Sequence, residues 1–117
     1  ENIYIVELGF YRITKWARGA TSGIVVAGGN GPGEAANQLN EPSDVYVDKD
    51  GNMNIADQLN DRIQKWAPGA TSGITVAGDD SHVQVIQSLS YPSAVMVRNG
   101  YIYICDKFYD RIQRWKE

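Results

Sequence analysis

The residues with the most capacity for chemistry are a carboxylate and a guanidinium that recur at one spacing. Three pairs stand five positions apart, namely Glu7 and Arg12, Asp57 and Arg62, and Asp106 and Arg111. A carboxylate beside a cation can serve as a catalytic acid or base with a perturbed pKa. The alternative is a structural ion pair whose charge-assisted hydrogen bonds hold a turn. Because catalysis needs one site and the pair is repeated, we interpret it as structural and predict no catalytic residue.

Two reactive side chains occur once each in the chain. His82, in "DDSHV", is the only histidine, so the chain cannot supply a zinc site made of several histidines or more than one Ser-His-Asp arrangement. Cys105 is the only cysteine, which excludes an intrachain disulfide. We therefore predict no metal and no cofactor, and we expect Cys105 to be a small buried thiol.

Two glycine-containing segments look like ligand loops. The first, "GGNGPG" at 28–33, lacks the Lys-Ser/Thr of a phosphate loop and does not fit G-x-G-x-x-G. The second, "DKDGN" at 48–52, lacks the later ligands and the distal glutamate of a calcium loop. We interpret the first as a connection and the second as a hairpin turn.

A repeat of about 50 residues organises all of these residues. "NIYIVELGFYRITKW" at 2–16 aligns with "NMNIADQLNDRIQKW" at 52–66 and "YIYICDKFYDRIQRW" at 101–115. Between 12–29 and 62–79, fourteen of eighteen positions are identical. A period of this length is typical of solenoids and propellers.

Within one period the pattern predicts four short strands joined by turns. The strands are "DVYVD" (44–48), "NMNIAD" (52–57), "RIQKWA" (62–67) and "ITVAG" (74–78), with turns at 49–51 and 58–61. Trp16, Trp66 and Trp115 share one position on the third strand. A stacking platform for a ligand is one reading, but the recurrence favours packing between neighbouring units.

Residues 39–66 resemble an NHL repeat. The resemblance is carried by "N-x-P-x-x-V-x-V-D-x-x-G-N" followed by "I-A-D-x-x-N-x-R-I-Q". The copy at 89–115 keeps Pro92, Asp106 and Arg111, but has Arg98 in place of Asp48. The first copy departs further, with "VE" at 6–7 where the second has "AD".

The resemblance implies an all-β fold made of β-propeller blades, each a four-stranded antiparallel sheet. It divides the chain into an incomplete first blade (1–28), a connection (29–42), a complete blade (43–78), a second connection (79–92) and an incomplete last blade (93–117). NHL propellers typically have six blades, and such a ring at this period needs roughly 290 residues. We therefore expect an incomplete ring of about two and a half blades. The chain is then part of a longer propeller, completes a ring with another copy, or stacks head-to-tail into an open assembly.

The turns between the second and third strands are the predicted interaction rim. "ELGFY" (7–11), "DQLND" (57–61) and "DKFYD" (106–110) are expected at one edge of successive blades. The candidate contact residues there are Phe10, Tyr11, Leu59, Asn60, Phe108 and Tyr109. Aromatic side chains on adjacent loops suit protein or glycan contact, and local packing within the rim is the alternative.

Composition narrows the possible partners. A net charge of -3 and a pI near 5.1 give no basic patch for nucleic acid, although some NHL propellers bind RNA through a basic face. No apolar run is long enough for a membrane span. The residues "ENIYIVE" are not a signal peptide, so an extracellular or secreted location, our expectation, requires a signal outside this chain.

We predict a non-catalytic structural or protein-interaction scaffold built from NHL repeats, within a larger propeller or a self-assembling array. The expected partners are other copies of the chain or the remaining blades of a longer one, with glycan as a further candidate. The rival prediction is a fragment of a propeller lyase or hydrolase whose catalytic residues lie outside this chain. The predicted role depends on analogy with other proteins of the same fold, whereas the repeat is read directly from the residues.

Overall fold

Ten strands form three antiparallel sheets in the computed structural model, which describes residues 1–78 and 89–117. The first sheet contains β1 (Asn2–Glu7), β2 (Arg12–Ala17) and β3 (Ile24–Gly28). The second contains β4 (Pro42–Val47), β5 (Met53–Asp57), β6 (Arg62–Trp66) and β7 (Ile74–Gly78). The third contains β8 (Pro92–Arg98), β9 (Tyr101–Asp106) and β10 (Arg111–Lys116).

These sheets are propeller blades, as the repeat predicts. In each sheet, strands that follow one another along the chain are neighbours, and the second sheet has the full order β4-β5-β6-β7. The central β4 lies against β1 on one side and β8 on the other. At four strands to a blade, the ten described strands are about two and a half blades of an incomplete ring.

The chain outside the strands follows the predicted pattern in part. The segment 29–41 connects the first two sheets, as expected for "GGNGPG", with one bridge between Pro32 and Leu39. The turns at the predicted rim are short 3₁₀ helices rather than simple turns. Most of the predicted second connection, and His82 with it, lies outside the described residues. Within the described part of the chain, no helix has the length and apolar character needed to cross a membrane.

Two apolar clusters hold the three sheets together, one on each side of the central sheet. Ile13 and Ala27 of the first sheet pack against Met53, Ile55 and Trp66 of the second. On the opposite face, the second and third sheets bury a cluster that contains Ala56, Ile63, Val95, Ile102 and Ile104. The alternation of side chains along each strand therefore gives the central blade two buried faces.

The three tryptophans occupy the predicted position between blades, but to different extents. Trp66 is fully buried between the first and second sheets, and Trp115 packs against the cluster between the second and third. Trp16 is half-buried, because no described sheet lies against its face. Packing between blades is thus confirmed for Trp66 and Trp115.

Gly78 ends the outer strand of the central blade in a conformation that favours glycine. Its φ is +81°, and a Cβ there would overlap the backbone carbonyl oxygen of Asp61. We expect Gly78→Ala to lower the free energy of unfolding by about 2–4 kcal/mol, from left-handed strain plus overlap. The matched control is Gly69→Ala, with φ +75° and no neighbour within 4 Å, which carries only the strain of about 1–2 kcal/mol. Equal losses in urea denaturation would contradict the role of the overlap.

Asp48 shapes the hairpin between β4 and β5, where a tight turn is predicted. Its Oδ1 accepts the backbone N–H groups of Asp50 and Asn52, each at 2.9 Å. Burial alone would raise the pKa of Asp48, but hydrogen bonds from Asn52 and Asp50 and the charge of Lys65 lower it below its usual 3.8. The hairpin prediction is confirmed, and the carboxylate form holds it.

The lowered pKa of Asp48 makes this hairpin sensitive to acid. Since the native pKa lies below the unfolded value of 3.8, the stability contributed by Asp48 is complete well above pH 3.8. It begins to fall as the pH approaches 3.8 and is lost as the pH falls through the native pKa. We expect Asp48→Asn to lose less stability than the wild type between about pH 5 and about pH 3 in urea titrations. Parallel pH profiles for the two proteins would show that Asp48 does not contribute.

Candidate interaction rim

The predicted rim is formed by three short 3₁₀ turns, each joining the second and third strands of one blade. They are Leu8–Phe10, Gln58–Asn60 and Lys107–Tyr109. Each turn ends in a residue with left-handed backbone, Tyr11, Asp61 or Asp110, whose N–H bonds back to the first residue of the turn. The repeated turn places the same positions of each blade at the same edge.

Aromatic side chains project from the first and last turns. Phe10 and Phe108 are each 66% exposed, and Tyr109 is 40% exposed. Tyr11 and Leu59 are half-buried. The exposure of two phenylalanines at equivalent edges of the arc leaves apolar surface available to a partner.

Arginines stack on these aromatic rings. The guanidinium of Arg12 lies 4.9 Å from the ring centre of Phe10, and that of Arg111 lies 4.9 Å from the ring centre of Tyr109. Phe108 and Tyr109 meet edge to face, with ring centres 5.3 Å apart. Part of the rim therefore packs locally, as in the alternative interpretation, while the outer faces of Phe10 and Phe108 stay in solvent.

Asn60 corrects the predicted rim. Its side chain is only 7% exposed and donates hydrogen bonds to the carbonyl oxygen of Gly33 at 2.8 Å and to Asp57 at 2.9 Å. The amide is occupied because the connection after the first blade crosses over the middle turn. Asn60 is therefore a structural residue of that turn and cannot meet a partner.

The repeated ion pairs lie directly beneath these turns. In the central blade, Arg62 Nε donates to Asp57 Oδ2 at 2.8 Å, and both side chains are almost completely buried. Arg62 also donates to backbone carbonyl oxygens of the connection, those of Glu34, Ala35 and Gln38. The guanidinium thus joins the hairpin of one blade to the connection from the preceding blade.

Asp57 is a carboxylate surrounded by donors from the fold itself. Besides Arg62 and Asn60, the backbone N–H of Asn40 donates to it at 2.7 Å. Burial raises the pKa of Asp57, and the hydrogen bonds from Asn40, Asn60 and Arg62 oppose that rise. The carboxylate is fully buried, and it does not line any of the three cavities described for residues 1–78 and 89–117.

The other two pairs repeat the geometry with less burial. Asp106 is fully buried and accepts from Arg111 at 2.9 Å and from the N–H of Ser90 at 2.7 Å, but Arg111 is a third exposed. Glu7 and Arg12 pair at the partly exposed edge of the first sheet. The difference lies mainly in the cations: Arg12 and Arg111 are each about a third exposed, whereas Arg62 is almost completely buried.

Cys105 corrects a second expectation. The thiol is half-buried rather than buried, and it lines a largely apolar cavity of about 650 Å³ together with Met96 and Ile112. The equivalent Ala56 is fully buried because the third sheet covers it, whereas no described sheet covers Cys105. Within residues 1–78 and 89–117, no group of three His, Cys, Asp or Glu side chains could hold a metal ion.

Asn54 is a polar residue that the reasoning from sequence missed. Its side chain is fully buried, and neither its oxygen nor its nitrogen has a protein partner within hydrogen-bonding distance. The other repeats carry Tyr4 and Tyr103 at this position. The alignment of the repeats therefore contained a signal for this residue, because only the central repeat has an amide where the other two have an aromatic ring.

Similarity to known proteins is confined to the fold. No family model matches the sequence, and no curated protein matches it. Solved structures do match. A Bacteroides thetaiotaomicron protein of unknown function has a TM-score of 0.83 at 19% identity over 98% of this chain and 32% of its own length. An auxiliary nutrient binding protein from the same organism has a TM-score of 0.73 at 16% identity over 99% of this chain and 35% of its own.

These matches define the class as an all-β arc of propeller blades. The chain spans about a third of the length of the two structures it resembles. The likeness identifies an architecture and not a ligand, because the identities are low.

Proposed function

We propose that the chain is a non-catalytic interaction scaffold of NHL type, an arc of a larger propeller or of a self-assembling array. The observation that carries the proposal is the pair of exposed phenylalanines, Phe10 and Phe108, on equivalent turns held rigid by ion pairs. The charged groups of the ion pairs bond to one another and to the backbone. The side chains at this edge that are exposed to a partner are therefore the aromatic ones, which suit binding by contact. Protein is the favoured partner, and glycan is the second candidate.

Rigid turns favour binding because little conformational entropy is lost when a partner arrives. Each turn is closed by a backbone hydrogen bond, and beneath it a carboxylate pairs with the Nε–H of an arginine. Aromatic side chains presented in this way are typical contact residues at protein interfaces. The extracellular location stays a prediction, and it is compatible with either partner.

The proposal is tested with the chain labelled and applied to peptide and glycan arrays. For the probes that bind, we expect Phe10→Ala and Phe108→Ala each to weaken binding about 30-fold, corresponding to about 2 kcal/mol for a lost contact aromatic. Ile74→Ala is the control, since Ile74 is 70% exposed on an outer strand away from the rim. Equal binding by all three variants would contradict the rim.

The rival proposal is that the chain is a fragment of a propeller enzyme. The metal content of the purified protein and its catalytic turnover distinguish this proposal from the scaffold. A stoichiometric zinc or calcium ion in the purified protein would contradict the scaffold, since the described residues give no cluster to hold one. Salt-sensitive binding of RNA would contradict the choice of protein as partner.

A further inference from the structure

Two opposite faces of the arc are apolar and have no described sheet against them. The first end face consists of Ile3, Ile5 and Trp16 on the first sheet, which line one shallow cavity. The second end face consists of Met96, Cys105 and Ile112 on the third sheet, which line the cavity of about 650 Å³. Ile3 is 64% exposed and Ile112 is 67% exposed.

The first end face repeats a surface that is buried elsewhere in the molecule. By the repeat, Ile3, Ile5 and Trp16 correspond to Met53, Ile55 and Trp66. In the central blade these residues pack against the first sheet and are fully buried. The corresponding Ile102, Ile104 and Trp115 of the third sheet pack against the central sheet.

The second end face repeats the other half of the same interface. Met96, Cys105 and Ile112 correspond to Tyr46, Ala56 and Ile63, which pack against the third sheet. In the first sheet, the corresponding Val6 and Ile13 pack against the central sheet. The interface between blades is therefore formed twice within the chain, and each end face presents one of its two sides.

We propose that the first end face of one copy of the chain docks against the second end face of another copy, as neighbouring blades dock within the chain. The inference rests on the proposed scaffold function and names its partner as a second copy. Such an interface is head-to-tail, because it joins two different surfaces of the same molecule. Pairing of either face with itself would match rows of side chains that meet nowhere in the structure.

A polar detail supports the head-to-tail fit. Within the chain, Asp44 Oδ2 accepts the N–H of Val95, on the inner strand of the next sheet, at 2.9 Å. On the second end face, Ala94 stands where the central blade has Asp44. An alanine at this position leaves no buried carboxylate without a donor.

The test uses one blocking substitution on each face. Ile3→Glu blocks the first end face, and Ile112→Glu blocks the second; both side chains are exposed in the single chain, so the fold is retained. In sedimentation at micromolar concentration, we expect the wild type to have a molar mass above the 12.9 kDa of one chain. Each variant is expected to have the mass of one chain, 12.9 kDa. An equimolar mixture of the two variants restores one intact pair of faces and forms a dimer.

Controls and a second readout keep the result unambiguous. Ile74→Glu changes an equally exposed isoleucine outside both end faces and is expected to assemble like the wild type. The charge placed in the interface is expected to weaken assembly at least ~100-fold. Cys105 reports occupancy directly. A thiol reagent should label it slowly in the wild type and rapidly in Ile3→Glu. Adding Ile112→Glu should slow labelling of the Ile3→Glu chain alone, because the second end face of the Ile112→Glu chain stays uncovered.

The outcomes separate this inference from the proposed function. A monomeric wild type overturns the docking of copies and leaves the rim, which is tested by the arrays, untouched. Self-association of either blocked variant overturns the head-to-tail arrangement, because each variant retains only one of the two faces. Failure of the mixture to form a dimer overturns it as well.

Discussion

Asp57→Ala is expected to lower the free energy of unfolding by about 3–5 kcal/mol, the cost of leaving one member of a buried ion pair without its partner. Arg62 would remain almost completely buried, at 3% side-chain exposure, without its carboxylate. The donors on Asn40 and Asn60 would lose the same acceptor. Urea denaturation with constant m-value measures the loss.

The repeat provides a matched control for this prediction. Glu7→Ala removes the equivalent carboxylate from a pair that is partly exposed on both sides. Exposed pairs contribute about 0–1 kcal/mol, so the loss should be smaller by several-fold. Similar losses at Glu7 and Asp57 would mean that burial does not set the strength of the pair.

The repeat made most of the fold predictable from the sequence. The four strands of the central blade lie within about two residues of their predicted bounds, since alternating apolar residues and glycine turns are local signals. The hairpin at Asp48 was predictable for the same reason. Packing of Trp66 between blades followed from its recurrence, because only an environment shared by every blade recurs with the period.

The parts that could not be predicted depend on which neighbour covers a residue. Asn60 has the sequence setting of an exposed turn, but the connection from the preceding blade lies over it. Cys105 has the strand setting of the buried Ala56, but its face is open. Both corrections arise from contacts between distant parts of the chain, and periodicity carries no information about those contacts.

The strength of the ion pairs also could not be predicted from the sequence. Sequence spacing places Asp57 opposite Arg62 across the hairpin, and the register of β5 and β6 has the two residues paired. It does not reveal the three carbonyl oxygens of the connection that also hold Arg62. Because of those contacts, the ion pair stabilises its own hairpin and also links two neighbouring blades.

Trp66→Ala is the second large loss that we expect, at about 3–5 kcal/mol for truncation of a fully buried aromatic side chain. The ring lies in the cluster between the first and second sheets, and its Nε1 donates to the carbonyl oxygen of Ala70 at 2.9 Å. Gly73 packs so closely on the ring that a Cβ there would overlap it. The substitution would open a cavity on the face that joins two blades.

Trp16→Ala is the matched control, because Trp16 occupies the same strand position and a glycine, Gly23, also packs closely on its ring, although on the pyrrole side and not on the benzo side. The two tryptophans differ in that the first sheet covers Trp66, whereas no described sheet covers Trp16. Measured in the Ile112→Glu background, which keeps the chain monomeric, Trp16→Ala should cost less than half as much as Trp66→Ala. In the wild-type background the loss at Trp16 should grow with protein concentration, since a second copy would then bury the ring. Equal losses in the monomer would mean that packing within one blade, rather than packing between blades, stabilises the arc.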